Sequence, residues 1–231
     1  MTDFNSHAKA QAIAKLVHAK LAPTLCADDT EHTIANRAAA LFASYGIVNT
    51  WYHDCIAFVL LGERSCLSIS GRDYVPAQER VGQFNVITVD LSPLIGVAWG
   101  DCARTFFIEN GVYTANPKTA EFLSGMQVES ALHEAMHSRV TPDTTFEELF
   151  VLGNSEIVRH GYETLDFFGN LGHSIATQLS GRQYIEQGNT ARLGSVPMFT
   201  FEPHIKRMHG RWGFKHEDIY YFGADRKLRV L

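Results

Sequence analysis

The stretch VITVDLSPLIGVAWGDCARTFFI (86–108) decides how this chain is read. Two aspartates, Asp90 and Asp101, each end a run of strand-forming residues, with a turn expected around SPLIG (92–96). An ionised carboxylate inside a protein is costly unless positive charge meets it. No arginine or lysine lies between the two aspartates, so a metal ion is the first candidate.

Strand alternation sorts the acids further along. In VITVD, Val86, Thr88 and Asp90 share a face, opposite Ile87 and Val89. In MFTFE, Met198, Thr200 and Glu202 share one. In KHEDI, Lys215, Glu217 and Ile219 do. His173, in NLGHSIA, sits in a Gly-flanked segment where backbone approaches closely. Four carboxylates and one imidazole suit two divalent ions, with Mn, Fe, Co and Zn all compatible.

Around this centre the pattern alternates between helix and strand. Helical periodicity covers 7–21, 30–45, 118–139 and 145–160. Strands are expected at CIAFVLL (55–61), CLSIS (66–70), 85–110, VPMFTFEPHI (196–205) and GFKHEDIYYFG (213–223). TEHTIANRAAALFASYG (30–46) and TFEELFVLGNSEIVRHG (145–161) each run from Thr to Gly at an offset of 115 residues. They suggest two α/β halves with a site where they meet.

Composition narrows the class. The 231 residues are 45% apolar and 19% charged, as in an ordinary globular protein, and fit one large domain. A formal charge of -5 without a polybasic tract argues against nucleic acid or anionic membranes as partners. The start, MTDFNSHAKAQAIAK, lacks the apolar core of a signal peptide, and no apolar run is long enough to span a bilayer. Four cysteines without paired spacing suggest reduced thiols and a cytoplasmic setting.

Five segments in order carry a resemblance: VDLSP with Asp90, GDCARTF with Asp101, LGHSIA with His173, FTFEPHI with Glu202 and FKHEDIYYF with Glu217. The chain resembles the catalytic domain of the methionine aminopeptidase, Xaa-Pro aminopeptidase, prolidase and creatinase family. The resemblance implies an α+β pita-bread fold over 1–231, with pseudo-twofold halves and a curved antiparallel sheet. It also implies a dinuclear metal hydrolase in which a metal-activated water attacks a small amide or related substrate. Asp90 would chelate one ion, Asp101 and Glu217 would bridge both, and His173 with Glu202 would complete the other. Glu202 would also be the general base, and Arg104 and Thr105 would support the strand. The expected partner is a small molecule or short peptide, and a homodimer is compatible.

Two histidines that peptidases of this family use to hold substrate are missing. Counting back from Asp90 reaches Asp73 or Arg72; seven positions beyond His173 stands Ser180. Ordinary peptidase activity is therefore expected to be weak. His204, His53, Arg72 and Arg211 are the candidate replacement donors, with His204 foremost because it lies two residues from Glu202. A metal-dependent lyase or oxygen-using enzyme on the same scaffold, or a non-catalytic binding relative, is the alternative. HEAMH (133–137) matches the HExxH zinc pattern, but it aligns in the repeat with the helical segment HAKLA (18–22) and is expected to carry no metal.

Overall fold

The computed structural model describes residues 4–231, apart from the Leu179 side chain; residues 1–3 of the expected domain lie outside the described residues. Helices α1 (Phe4–Leu21) and α2 (Glu31–Ser44) open the first half. Strands β1 (Asn49–Thr50), β2 (Ala57–Leu61), β3 (Phe84–Leu91), β4 (Pro93–Ile95), β5 (Ala98–Trp99), β6 (Cys102–Glu109) and β7 (Val112–Thr114) follow. The second half repeats the plan with α3 (Ala120–Arg139), α4 (Phe146–Arg159) and β8 (Tyr162–Thr164). It ends in β9 (Phe199–Phe201), β10 (His204–Arg207), β11 (Gly213–Lys215), β12 (Asp218–Phe222) and β13 (Leu228–Val230).

All strand pairings are antiparallel. β2-β3-β6-β7 form the largest sheet, and β1-β4-β5, β8-β10-β11 and β9-β12-β13 form three smaller ones. Alternation on β3 comes out as read. Ile87, Val89 and Leu91 are buried against α1 and α2, while Thr88 and Asp90 face a cavity. A second apolar core, with Phe146, Phe201, Phe214 and Leu149, fills the space beneath α3 and α4.

The sequence repeat is real in three dimensions. Thr30 caps α2 by accepting from the Thr33 N–H, and Thr145 caps α4 by accepting from the Glu148 N–H, each completing a capping box. Each helix has fourteen residues and is followed by a glycine at positive φ, Gly46 at 75° and Gly161 at 77°. His18 on α1 and His133 on α3, also 115 apart, point Nε2 at backbone carbonyls of the two site segments. The acceptors are Cys102 O at 2.9 Å and His216 O at 3.1 Å. Because a carbonyl only accepts, both rings carry their proton on Nε2. His133 Nδ1 faces the Tyr220 hydroxyl at 2.7 Å, so the first histidine of HEAMH is committed to structure, and His137 is exposed.

Three strand readings change. CLSIS is not a strand: residues 62–66 form a 3-10 turn in which Ser65 Oγ donates to Gly62 O, and an extended coil follows. That turn nests against Gly213, where an added Cβ would lie 2.1 Å from Ser65 O. The run 196–205 breaks after Phe201, before Pro203, which has no N–H for a ladder. The run 213–223 breaks at His216 and Glu217. Glu202 and Glu217 both sit in these interruptions.

Burial lowers the pKa of both His18 and His133 to about 3, with neighbouring Arg104 and His216 charges contributing. Between the unfolded value near 6.5 and about 3, the unfolded chain binds a proton at each ring that the folded chain refuses. Stability is therefore complete above that window and lost as pH falls through it, by up to ~1.4 kcal/mol per pH unit for each histidine. His18→Gln keeps an N–H for Cys102 O and removes the titration. Urea unfolding in chelator between pH 6 and 4 should give a shallower loss than in the parent; identical slopes would contradict the assignment.

Candidate metal centre and its cavity

The five acid and imidazole side chains come from both halves. Asp90 lies near the end of β3, and Asp101 sits just before β6. His173 lies in the loop after β8, Glu202 between β9 and β10, and Glu217 between β11 and β12. Backbone contacts weld these segments together. Ala103 stands opposite Asp90 in the β3–β6 register, and its carbonyl accepts from the Glu217 N–H at 3.0 Å. Gln11 on α1 exchanges two hydrogen bonds with the Asp101 backbone, both 2.8 Å.

Arg104 and Thr105 support this corner. Arg104 donates to Glu217 O at 2.6 Å and to both Asp218 carboxylate oxygens at 3.0 Å. Thr105 Oγ1 donates to Lys215 O at 2.9 Å and accepts from its N–H at 2.8 Å. Neither side chain points its polar group at the carboxylate cluster, in keeping with a positioning role.

His173 is set by its backbone. Gly172, at φ 139°, passes so close to Thr200 that an added Cβ would lie 2.3 Å from Thr200 O. Only glycine lets the loop reach β9, where His173 N–H donates to Thr200 Oγ1 at 3.0 Å and His173 O accepts from Thr200 N–H at 2.7 Å. Nδ1 donates to Ser174 O at 3.1 Å, which fixes the tautomer and leaves the Nε2 lone pair facing Asp101 Oδ2 at 3.4 Å.

The donor set fits a cation. Asp101, His173 and Glu217 each offer one ligand atom within 4.8 Å of the others, and all three are buried. Asp101 Oδ2 and both Glu217 carboxylate oxygens are buried without a hydrogen-bond partner. Burial pushes the Asp101 carboxyl well above its usual range, with Asp90 and Glu202 adding to the shift. Burial does the same to Glu217, helped by Asp101 and Glu202. Buried oxygens that repel one another and have no donor are what a divalent ion satisfies.

Positive charge already present comes from Lys215, which the strand reading placed on the Glu217 face. Its Nζ lies 2.6 Å from Asp90 Oδ2, 2.9 Å from Glu202 Oε2 and 3.7 Å from Glu217 Oε2. Burial alone would lower the ammonium pKa, but Asp90, Glu202 and Glu217 more than reverse this and hold it well above the usual lysine range. For Glu202, the upward push of burial is outweighed chiefly by the Lys215 ammonium, so its carboxyl is lowered. Burial lowers the His173 pKa against the pull of Glu202, which keeps the ring neutral.

The cluster opens into a cavity of about 540 Å³. His204 lines it, but its Nε2 donates to Ser65 O at 2.7 Å, and burial lowers its pKa to about 4. His53, at φ 47° with its ring against Tyr52, and exposed Arg72 are not among the lining side chains. Arg211 lies over Trp212 and pairs with Glu63 at the surface. The chain's path carries these three side chains elsewhere, which spacing alone could not reveal. Besides Lys215, a second cation lines the cavity: Arg182, 5.5 Å from the Trp51 ring and 5.2 Å from the Tyr184 ring. Asp101 and His173 both feel its charge. The only sequence signal for it was position, two residues beyond Ser180 in LSGRQY.

Asp101→Asn tests the cation reading. In chelator it removes one of several crowded acids and should leave Tm unchanged or raised. With Mn supplied it should lose most of the metal-dependent rise in Tm seen in the parent. An equal loss in both buffers, read by scanning calorimetry, would make Asp101 a structural residue instead.

The sequence profile of metallopeptidase family M24 matches residues 5–224. A prolidase from Thermococcus sibiricus superposes with a TM-score of 0.80 at 19% identity, covering 99% of this chain and 58% of that one. An X-Pro aminopeptidase from Thermotoga maritima gives 0.81 at 18% identity, covering 99% and 59%. A methionine aminopeptidase from Rickettsia prowazekii gives 0.73 at 13% identity, covering 99% and 96%. The chain thus spans about three-fifths of the prolidase length and nearly all of the methionine aminopeptidase. No curated protein sequence matches it. No helix among the described residues is long and apolar enough to cross a membrane, and the four cysteines are unpaired. With the α+β architecture, the repeated halves and a profile match over nearly its whole length, this chain belongs to metallopeptidase family M24 and has the pita-bread fold.

Proposed function

We propose that the protein is a metal-dependent hydrolase acting on a small amide or short peptide that bears an anionic group. The observation that carries this reading is the buried, donorless oxygen set of Asp101 and Glu217 beside the neutral His173, opening onto a cavity whose wall holds Arg182. A divalent ion held there would acidify a water and polarise a substrate carbonyl. Mn, Fe, Co and Zn all suit this mixed oxygen and nitrogen set.

The chain's own groups divide the remaining work. Glu202 is kept ionised by Lys215, and its Oε1 lies 3.7 Å from His173 Nε2, so it is placed to take a proton at the centre. Thr200 Oγ1 steadies that oxygen by donating to it at 3.3 Å. Arg182 carries its guanidinium at the cavity wall, 5.5 Å from the Trp51 ring and 5.2 Å from the Tyr184 ring, where a substrate carboxylate would meet its charge. Phe167 and Phe168, largely exposed at the cavity wall, give an apolar substrate portion a surface to cover.

Substrate choice follows from what the cavity lacks. Exposed Arg72 and Ser180, and Asp73 beside Arg72, stand where family peptidases keep their substrate histidines, and neither Arg72 nor Asp73 lines the cavity. Losing such donors costs roughly a hundred- to a thousandfold in rate. Unmodified aminopeptidase substrates should accordingly turn over slowly, and compounds that engage Arg182 should turn over best.

The test is a mass-spectrometric panel of N-acyl amino acids and dipeptides against their carboxamides, with Mn, Fe, Co or Zn supplied in turn. The free acids should be preferred. Arg182→Gln should raise KM for the acids at least tenfold, with a smaller effect on kcat and none on the carboxamides. No turnover of any acid with any metal, or an equal effect of the variant on both series, would count against the reading.

A further inference from the structure

The five candidate ligands do not form one set. Asp101, His173 and Glu217 converge on one another, with Glu202 Oε1 3.7 Å from His173 Nε2, whereas Asp90 Oδ2 and Glu202 Oε2 converge on Lys215. The ammonium has three protons and three carboxylate neighbours, at 2.6, 2.9 and 3.7 Å, and its side chain is only 17% exposed. It is no surface lysine that has strayed inward. Its backbone is clamped by Thr105 on both sides, and its register opposite His204 is fixed by the β10–β11 pairing. From that anchor the side chain projects onto Asp90 Oδ2, on the carboxylate that would chelate a second divalent ion, and onto Glu202 Oε2.

We propose that Lys215 is a resident cation that takes the place of one of two metal ions, so that this chain binds a single divalent ion at Asp101, His173 and Glu217. The inference rests on the metal-dependent reading above and concerns how many ions the site takes. A second divalent ion chelated by Asp90 would lie against the ammonium, 2.6 Å from Asp90 Oδ2, in a water-poor site where like charges repel strongly. The two cations therefore compete for the same oxygens. Glu217 borders both places, because its Oε2 reaches Lys215 while its carboxylate also completes the three-ligand group.

A covalently attached cation has a consequence that a bound ion lacks. Asp90 and Glu202 remain neutralised whatever the metal concentration, so removing metal exposes only the Asp101 and Glu217 carboxylates. Replacing Lys215 with methionine removes the charge while keeping an unbranched side chain, and frees both carboxylates for a second ion.

The experiment is metal counting on the full chain, by native mass spectrometry and by elemental analysis after equilibration with excess Mn or Zn and gel filtration. The parent should retain one ion per chain and Lys215→Met two. The parent's count stands on its own if the variant fails to fold, and Lys215→Gln provides a second variant. An anomalous-scattering map of the parent should show one peak, at Asp101, His173 and Glu217. Two retained ions in the parent, or one in a folded Lys215→Met, would overturn the proposal and leave the hydrolase reading intact. No ion in either protein would overturn the hydrolase reading and this proposal with it.

Discussion

Asp101 and Glu217 are withdrawn from water where the two halves of the chain meet, and two further carboxylates lie beside them. Burying one such group without a counter-charge costs a domain much of its net stability. The fold is arranged around that electrostatic problem. Lys215, two residues before Glu217, answers part of it, and the donorless oxygens of Asp101 and Glu217 define what is left for a metal.

Holding the acids in place falls largely to groups that never touch the cavity. Gln11, His18, His133 and Arg104 all grip backbone atoms of the segments carrying Asp101 and Glu217. Helices α1 and α3 supply one histidine each, at equivalent positions of the repeat. The two apolar cores then act as rigid backing on either side of the joint. A site held by backbone hydrogen bonds from buried side chains keeps its geometry better than one resting on exposed loops.

The cavity wall is where the proposed choice of substrate would be made. A guanidinium near the Trp51 and Tyr184 rings stands in that wall, beside the ligand group. Imidazole donors stabilise an oxyanion as it forms, whereas a guanidinium fork recognises an anion already present in the substrate.

Much of this was legible in the residues. The helices around 30–46 and 145–161 announced themselves by periodicity and their Thr and Gly ends, because capping is local chemistry. The face carrying Thr88 and Asp90 followed from a two-residue period, and the five acid and imidazole positions stood out through ordered motifs. What sequence could not supply were relations between distant segments. Lys215 is 125 positions from Asp90 and Arg182 is 131 from Trp51, so nothing in local spacing links them. CLSIS had a strand's alternation but lost it to the turn beside Gly213, and His53 and Arg72 had suitable chemistry but their side chains are not among those lining the cavity. Sequence alone determined the elements and the inventory of acids, because those depend on neighbours within a few residues. Only the tertiary structure decided which acids share a cation, because Coulomb energy and desolvation depend on distance through space and not along the chain.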